Sequence, residues 1–299
     1  MLVITRRVNQ LGNRLCLFAH AVAFAEGHGG RVINLAFDPY EDGFIATARD
    51  PWCRFPVAPS VSVTARRLAC ATGNALRALC KASRIANSRA RLPRLHSPVR
   101  VLTMGDVQER DMNASDFVRL ARRTPYLLLD GWGFRDHQGI RRHAEAVRRY
   151  FRPVDEVREA AERAVQAARQ NCDLLVGVHV RQGDFREFQG GAYFFDTPAY
   201  ACLMSDVAAA LSPARVGFLV CSNEAQDQAD FGRLTVSFGP GAPLSDLAAL
   251  AMCDRLMGPT STFSRWAAFA GEVPFALLRR TEQGDLPQLS PESFQPSYT

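Results

Sequence analysis

The segment 177–184, Gly-Val-His-Val-Arg-Gln-Gly-Asp, lies at the end of an apolar run that begins at Leu174. The run predicts a buried strand that delivers His179, Arg181 and Asp184 into the loop that follows it. Ligands of open α/β sheets bind at the carboxyl ends of the strands, where a guanidinium can meet an anionic group such as a diphosphate. Arginine beside aspartate is also a common exposed ion pair, so the position at a strand end carries this interpretation.

Two further polar segments follow predicted strands. Ser222 could reach a ribose or a phosphate and Glu224 could accept a hydroxyl proton, although Ser222 could equally be only the N-cap of a following helix. Ser261, Thr262 and Phe263 stand between a strand and a helix. Hydroxyls and free backbone N–H groups bind phosphate there, and the helix dipole adds about half a unit of positive charge.

Two weaker candidates complete the set. Asp246 lies at the start of a predicted helix, where its carboxylate could accept paired N–H donors from a guanine edge or simply balance the helix dipole. Near the amino end, Gly12 permits close backbone approach, and Asn13 and Arg14 could line a cleft facing a second domain.

Alternating strands and helices predict an α/β fold in two domains, 1–152 and 153–299. The first opens as a β-α-β unit and continues irregularly, with strands at 2–5, 32–35, 99–103 and 126–129 and helices at 13–26 and 66–84.

The second domain is regular, with Thr197 as the N-cap of one helix and Ser245 as the N-cap of another. Its predicted strands are 174–180, 216–221, 234–238, 255–258 and 275–278, and its helices are 155–170, one beginning at 197, 246–253 and one from 261 or 262 to 270. Five strands alternating with helices imply a doubly wound parallel sheet.

An apolar fraction of 47% is ordinary for a globular protein. A length of 299 residues exceeds the usual size of a single hydrophobic core, so two cores are expected. The net charge is +6, and Lys81 is the one lysine in the sequence. Arginine forks suit phosphates, but a GC-rich genome would produce the same bias.

The basic charge is concentrated in 66–100, since no Asp or Glu occurs between Asp50 and Asp106. This stretch could contact anionic lipid or a phosphorylated acceptor, and a solvated helix face explains it equally well. No reading motif indicates nucleic-acid binding. We therefore expect a cytoplasmic protein with peripheral contact at the inner face of the cell membrane through 66–100.

The eight cysteines are scattered, with no C-x-x-C pair and no histidines at zinc-ligand spacing. This pattern predicts reduced thiols and no metal site. No apolar run reaches the roughly 18 residues needed to cross a bilayer. Arg6 and Arg7 ahead of the apolar 15–25 imitate a signal peptide, but Asn9 and Asn13 interrupt the pattern, so we interpret it as part of the mature protein.

Taken together, the segments resemble one known family. Leu-Gly-Asn-Arg-Leu at 11–15 is similar to its L-G-N-Q-[LM]-F-Q segment, and 177–184 resembles its H-x-R-R-x-D motif. Residues 246–254 and 261–269 resemble its D-L-x-L-M-x-x-C-D and S-T-F-S-W-W-A-A segments. These motifs mark the α-1,2-fucosyltransferases of glycosyltransferase family 11, within the GDP-fucose-dependent fucosyltransferase superfamily.

The resemblance implies a GT-B architecture, in which two Rossmann-like doubly wound domains face each other across a cleft. It implies that the C-terminal domain holds GDP-fucose, that the N-terminal domain lies on the acceptor side and that no metal is required. The resemblance implies that Arg181 holds the diphosphate and that donor binding involves Asn13, His179, Asp246, Ser261, Thr262 and Phe263. The residue pattern adds Gly12, Arg14 and Ser222 to the expected donor-binding residues. It offers Asp184, Glu187 and Glu224 as candidates for the group that activates the acceptor hydroxyl.

The chain departs from the family motifs at Gln182, Arg14, Arg265 and Gln10, which stand where the family has Arg, Gln, Trp and Gly. Three hypotheses follow. The protein is an inverting fucosyltransferase acting on a glycan or a lipid-linked saccharide, a GT-B transferase that uses another GDP-sugar, or a catalytically silent nucleotide-sugar-binding protein.

Overall fold

The computed structural model describes residues 1–48, 50–57, 98–105 and 108–296, together with Ala75 and Ala78, which are helical. Most of the expected helix at 66–84 and of the basic stretch 66–100 lies outside these residues. The chain divides into two compact units, Met1–Val154 and Asp155–Thr299.

The first unit contains a parallel sheet of four strands, β1 (Leu2–Ile4), β2 (Val32–Asn34), β3 (Val99–Thr103) and β5 (Tyr126–Asp130), in the order β2-β1-β5-β3. Two short strands, β4 (Arg110–Asp111) and β6 (Phe134–Arg135), pair separately. The helices are α1 (Leu11–His28), α2 (Ser115–Arg123), α3 (His137–Arg142) and α4 (Ala144–Tyr150).

Helix α1 forms the centre of this unit because its residues are apolar on nearly every side and are buried from Leu15 to Ala25. The Phe18 ring meets Phe37, Tyr150 and Phe151 edge-on at centroid distances of 5.3, 5.4 and 5.2 Å. Aromatic pairs at this spacing prefer such a geometry. The helix begins two residues before the expected start at Asn13.

The second unit contains five strands, β7 (Leu174–Val180), β8 (Val216–Ser222), β9 (Thr235–Phe238), β10 (Arg255–Pro259) and β11 (Phe275–Leu278). Their order is β11-β10-β7-β8-β9 and every neighbouring pair is parallel, which confirms the predicted doubly wound sheet. The strand order reverses between β7 and β10, and open α/β sheets bind ligands beyond the carboxyl ends of strands at such a point.

Four helices cover this sheet, namely α5 (Asp155–Arg169), α6 (Thr197–Ala210), α7 (Pro243–Leu250) and α8 (Thr262–Gly271). Val176 and Val178 in β7, Phe218 in β8 and Met257 in β10 are buried in its core. Strands covered on both faces are apolar throughout rather than alternating, which explains why the run at 174–180 was recognisable in the sequence.

Two predicted caps were wrong. Helix α6 is capped by Asp196, whose side chain accepts the Ala199 N–H at 3.0 Å, and Thr197 is the first helical residue. Helix α7 begins at Pro243 rather than at Asp246, and Ala242 precedes it without a side-chain cap, so Ser245 is not a cap. Proline suits the first turn because it has no N–H to leave unpaired.

Helix α7 also ends at Leu250, three residues before the predicted end. Just beyond it, the Asp254 carboxylate accepts the Leu175 N–H at 2.8 Å and pairs with Arg169 at 2.8 Å. These contacts fasten the chain to the start of β7, where it turns into β10. Among the described residues, no helix combines the length and the apolarity that crossing a membrane requires.

Candidate functional site

Arg181 lies directly beyond the carboxyl end of β7, at the reversal of strand order. Its Nη2 donates to Asp184 Oδ2 at 2.9 Å, and its Cζ lies 5.5 Å from the centroid of the Phe185 ring. The Arg181 side chain is only 16% exposed, against 61% for Asp184. The guanidinium is therefore held in place and partly shielded from water, which strengthens its attraction for an anion.

His179, which lies in β7 two residues before Arg181, is buried and neutral. Its Nδ1 is 2.6 Å from the Ser264 hydroxyl, and its ring lies 4.8 Å from that of Phe263 in α8. Burial, helped by the nearby Arg181 charge, lowers the pKa of His179 to about 3. The histidine therefore joins β7 to α8 and is uncharged at neutral pH.

Tyr200 fixes the backbone on either side of Val180. Its hydroxyl donates to the His179 carbonyl at 3.3 Å and accepts the Arg181 N–H at 3.3 Å. Both Tyr200 and Ser264 were missed in the sequence. Ser264 could have been found, because it lies three residues after Ser261 and so one turn along the same helix.

Gln182, where the family motif has a second arginine, points into the protein and is 5% exposed. Its Nε2 donates to the Phe195 carbonyl at 3.3 Å and to Thr197 Oγ1 at 3.2 Å, and its Oε1 accepts from Gln226 Nε2 at 3.1 Å. Its backbone N–H donates to Asn223 Oδ1 at 2.8 Å. This side chain joins the loops after β7 and β8 to the start of α6.

Ser222 is the last residue of β8 and Glu224 lies in the loop that follows, so both belong to the same edge of the sheet. Ser222 Oγ accepts the Glu224 N–H at 3.1 Å, so the serine closes a turn and does not cap a helix. Glu224 Oε2 is 3.9 Å from an Arg186 nitrogen. Gly183 has φ +54°, and a Cβ there would lie 3.1 Å from Glu224 Oε1, which shows that the Glu224 carboxylate approaches the Arg181 loop.

Ser261, one of the two residues predicted to open this helix, is the N-cap of α8, and its Oγ accepts the Phe263 N–H at 3.2 Å. Thr262 is the first residue of the helix. The helix is tied to β7 through the contacts of Phe263 and Ser264 with His179. The hydroxyl segment and Arg181 therefore belong to one edge of the second unit.

Substitution of Gly258 in β10 by alanine is expected to lower the unfolding free energy by about 1–3 kcal/mol, the usual cost of overpacking. An added Cβ would lie 3.0 Å from Ser264 Oγ and 3.1 Å from His179 Cβ, so the contact between β7 and α8 must open. Urea unfolding followed by circular dichroism measures the loss. Gly105→Ala is the control, because among the described residues its Cβ would find no atom closer than 4.0 Å. Equal stability of the two variants would contradict the prediction.

Asp246 is buried within the first turns of α7, 7% exposed. Its Oδ1 accepts the Gly241 N–H at 2.8 Å, and burial raises its pKa. A Cβ at Gly239 would lie 2.7 Å from the same oxygen, so the loop after β9 passes close to the carboxylate. A partly desolvated carboxylate at this edge is typical of a binding site.

Gly12, Asn13 and Arg14 belong to the first unit. Arg14 donates to the carbonyls of Asn9 at 3.2 Å and Ala36 at 3.3 Å and to that of Asp38, so it fastens the loop after β2 to the start of α1. Gly12 is buried in α1. The candidate residues of the second unit thus lie together at the carboxyl edge of its sheet, whereas these three belong to the first unit.

No group of three or more His, Cys, Asp or Glu side chains with the arrangement of a metal site occurs in the part of the chain that the structure describes.

No family model matches the chain. Galactoside alpha-(1,2)-fucosyltransferase 2 of the rabbit, Oryctolagus cuniculus, is 28% identical over 231 residues. The match covers 67% of this chain and 63% of the length of that relative.

Solved structures are similar along nearly the whole chain. A variant of Arabidopsis thaliana FUT1 in complex with GDP superposes with a TM-score of 0.61 at 13% identity, covering 99% of this chain and 73% of that one. The fucosyltransferase NodZ from Bradyrhizobium superposes with a TM-score of 0.55 at 17% identity, and the match covers 97% of this chain and 98% of NodZ. The chain therefore shares the α/β GT-B fold of these fucosyltransferases and is similar in sequence to the rabbit α-1,2-fucosyltransferase.

Proposed function

We propose that the protein is an inverting glycosyltransferase that moves L-fucose from GDP-β-L-fucose to a hydroxyl of a glycan acceptor, forming an α-1,2 linkage. The position of Arg181 carries this proposal. Its partly shielded guanidinium stands at the reversal of strand order, at the edge that also holds the start of α8. The rabbit relative, by its name a galactoside α-1,2-fucosyltransferase, supports the reaction and suggests a galactoside as acceptor.

In this reaction the acceptor oxygen forms a bond to C1 of fucose from the face opposite the diphosphate. The bond from C1 to the diphosphate oxygen breaks, and its electron pair leaves with GDP. Arg181 and the N–H groups at the start of α8 stabilise the negative charge that develops there. Ser261 and Thr262 add hydroxyl donors, which lets the site work without a metal ion.

The acceptor hydroxyl must lose its proton to a carboxylate at this edge. Asp184 already accepts a hydrogen bond from Arg181 at 2.9 Å, which engages the carboxylate with the group that binds the diphosphate. Glu224 has a looser ion pair, 3.9 Å from Arg186, and its side chain is 41% exposed. We therefore assign Glu224 as the base and Asp184 as the residue that orients Arg181.

The guanine base is assigned to Asp246 and Phe263, and a phosphate or ribose contact to Ser222. We propose that the second unit binds the donor. We also propose that the protein is cytoplasmic and contacts anionic lipid through 66–100.

Differential scanning fluorimetry with a panel of GDP-sugars tests the donor. GDP-fucose at about 100 times its dissociation constant should add about 2.7 kcal/mol of stability, and Asp246→Ala should remove the preference for GDP over ADP. Release of fucose from GDP-fucose shows that the protein turns over its donor. The release should persist in EDTA, because the proposed reaction needs no metal ion. Stabilisation by another GDP-sugar alone would identify a different donor, and binding without turnover, with or without acceptor, would identify a silent binding protein.

A further inference from the structure

A series of aromatic rings leads outward from Arg181. The Phe185 ring, 5.5 Å from Arg181 Cζ, stacks on the Phe188 ring with centroids 5.1 Å apart and planes inclined by 25°. The Phe188 ring in turn lies 6.2 Å from the Tyr193 ring. We name Phe188 and Tyr193 the aromatic ledge.

The ledge is accessible although its base is fixed. Phe188 is 44% exposed and Tyr193 is partly exposed, whereas Phe185 beneath them is 8% exposed. Phe188 and Tyr193 are exposed or partly exposed rings in mutual contact beside a polar site. Contiguous apolar surface of this kind is typical of a ligand-binding groove.

The backbone of the loop is shaped to hold these rings together. Gln189, Gly190 and Gly191 have φ values of +48°, +67° and +79°, and these left-handed residues reverse the chain between the two ledge rings. A Cβ at Gly191 would lie 3.0 Å from the Arg186 carbonyl, so the reversal is tight. A non-glycine residue in this region stores backbone strain, and such strain occurs at binding sites.

The far end of the loop is anchored to the rest of the second unit. Arg280 Nε donates to the Phe194 carbonyl at 3.2 Å, and the Arg280 guanidinium lies 5.0 Å from the buried Phe195 ring. The Arg186 guanidinium covers the Phe194 ring at 4.7 Å. Phe194 and Phe195 are thus engaged in the structure, which leaves Phe188 and Tyr193 as the rings that the loop presents outward.

We propose that the aromatic ledge binds the apolar face of the acceptor sugar, a neutral pyranoside of the galactoside class. This inference rests on the proposed function. A β-galactoside has one face on which C–H groups at carbons 3, 4 and 5 are continuous, and such a face packs on aromatic rings. The ledge is continuous with Arg181 through Phe185, so a sugar on it lies at the edge where the diphosphate leaves. Binding pockets combine such apolar surfaces with a few polar groups, here Glu224 and Asp184.

The variant Phe188→Ala/Tyr193→Ala tests the inference, with lactose as acceptor. We expect its KM for lactose to rise by about 10–100-fold, up to about tenfold, or 1.4 kcal/mol, for each ring removed. Hydrolysis of GDP-fucose in the absence of acceptor should stay unchanged, because the ledge does not bind the donor. Phe188→Trp, which keeps an aromatic face, should retain most of the affinity for lactose.

Tyr126→Ala is the matched control, because Tyr126 is a similarly exposed aromatic residue, 45% exposed, at the amino end of β5 in the first unit. Saturation-transfer NMR with lactose in the presence of GDP gives a readout independent of turnover. An unchanged KM in the double variant, or no lactose signal from the wild-type protein, overturns the ledge. Wild-type protein that does not cleave GDP-fucose overturns the proposed function instead, so the two failures are distinguishable.

Discussion

Arg181→Ala is expected to lower the rate of fucose transfer by about 10²–10³-fold, the typical loss when one donor to a developing negative charge is removed. The reason is the geometry of the guanidinium, which is 16% exposed and already oriented by Asp184 before any ligand arrives. Water cannot replace such a group at equal strength, because it would have to reorient as the diphosphate leaves. Release of GDP measured in a coupled assay gives the rate.

Two further variants separate charge from geometry. Arg181→Lys keeps the positive charge but loses the planar fork that can donate to Asp184 and to a diphosphate at once, so it should recover only part of the rate. Arg215→Ala is the control, since Arg215 forms an exposed ion pair with Asp173 at the start of β8, at the other edge of the sheet. A rate within twofold of wild type for Arg181→Ala would remove the basis of the proposed mechanism.

The second large effect is a loss of stability in acid. Burial lowers the pKa of His179 to about 3, and burial with the nearby Arg135 charge lowers that of His20 to about 3. An unfolded histidine has a pKa near 6.5, so below that pH the unfolded chain takes up a proton that the native state refuses. Each histidine should cost about 1.4 kcal/mol per pH unit as the pH falls from about 6.5 towards 3. Above about pH 6.5 the stability is fully present.

The two histidines lie in different units, which allows each to serve as the control for the other. His20 Nδ1 accepts the Asp136 N–H at 3.0 Å in the first unit, whereas His179 contacts Ser264 in the second. Hydrogen exchange at pH 7 and at pH 5, read by mass spectrometry, follows the units separately. His179→Gln should reduce the acid loss of protection in peptides from 174–180 only, and His20→Gln in peptides from 11–28 only. Parallel pH profiles in wild type and variants would contradict the assignment.

The fold of the second unit could be predicted because its strands are apolar throughout and separated by helices of ordinary length. The strand 174–180 was predicted to the residue, and the alternation of five strands with helices predicted the doubly wound parallel sheet, although not its strand order. Helix ends were harder to predict. Asp196 and Thr197 are both good caps, and the sequence does not say which one turns its side chain back to the helix.

The site was predictable to the level of its strand ends but not of its internal contacts. Arg181, Glu224 and Ser261 follow strands that happen to be neighbours, and parallel strands bring such residues to one edge. Tyr200 and Gln226 could not be found in this way. They contact the Arg181 loop from a helix and from a later turn, and only the three-dimensional packing brings them there.

The buried amide of Gln182 has a consequence for how this loop can change over evolution. The Gln182 side chain forms its hydrogen bonds with neutral groups, namely the Phe195 carbonyl, Thr197 and Gln226. An arginine substituted at this position alone would be buried among these groups, none of which carries a negative charge. Such a charge is costly to bury without a partner. A change at position 182 between glutamine and arginine therefore requires a second, compensating substitution, and position 226 is the expected site of that substitution. Residues 182 and 226 should covary among close homologues.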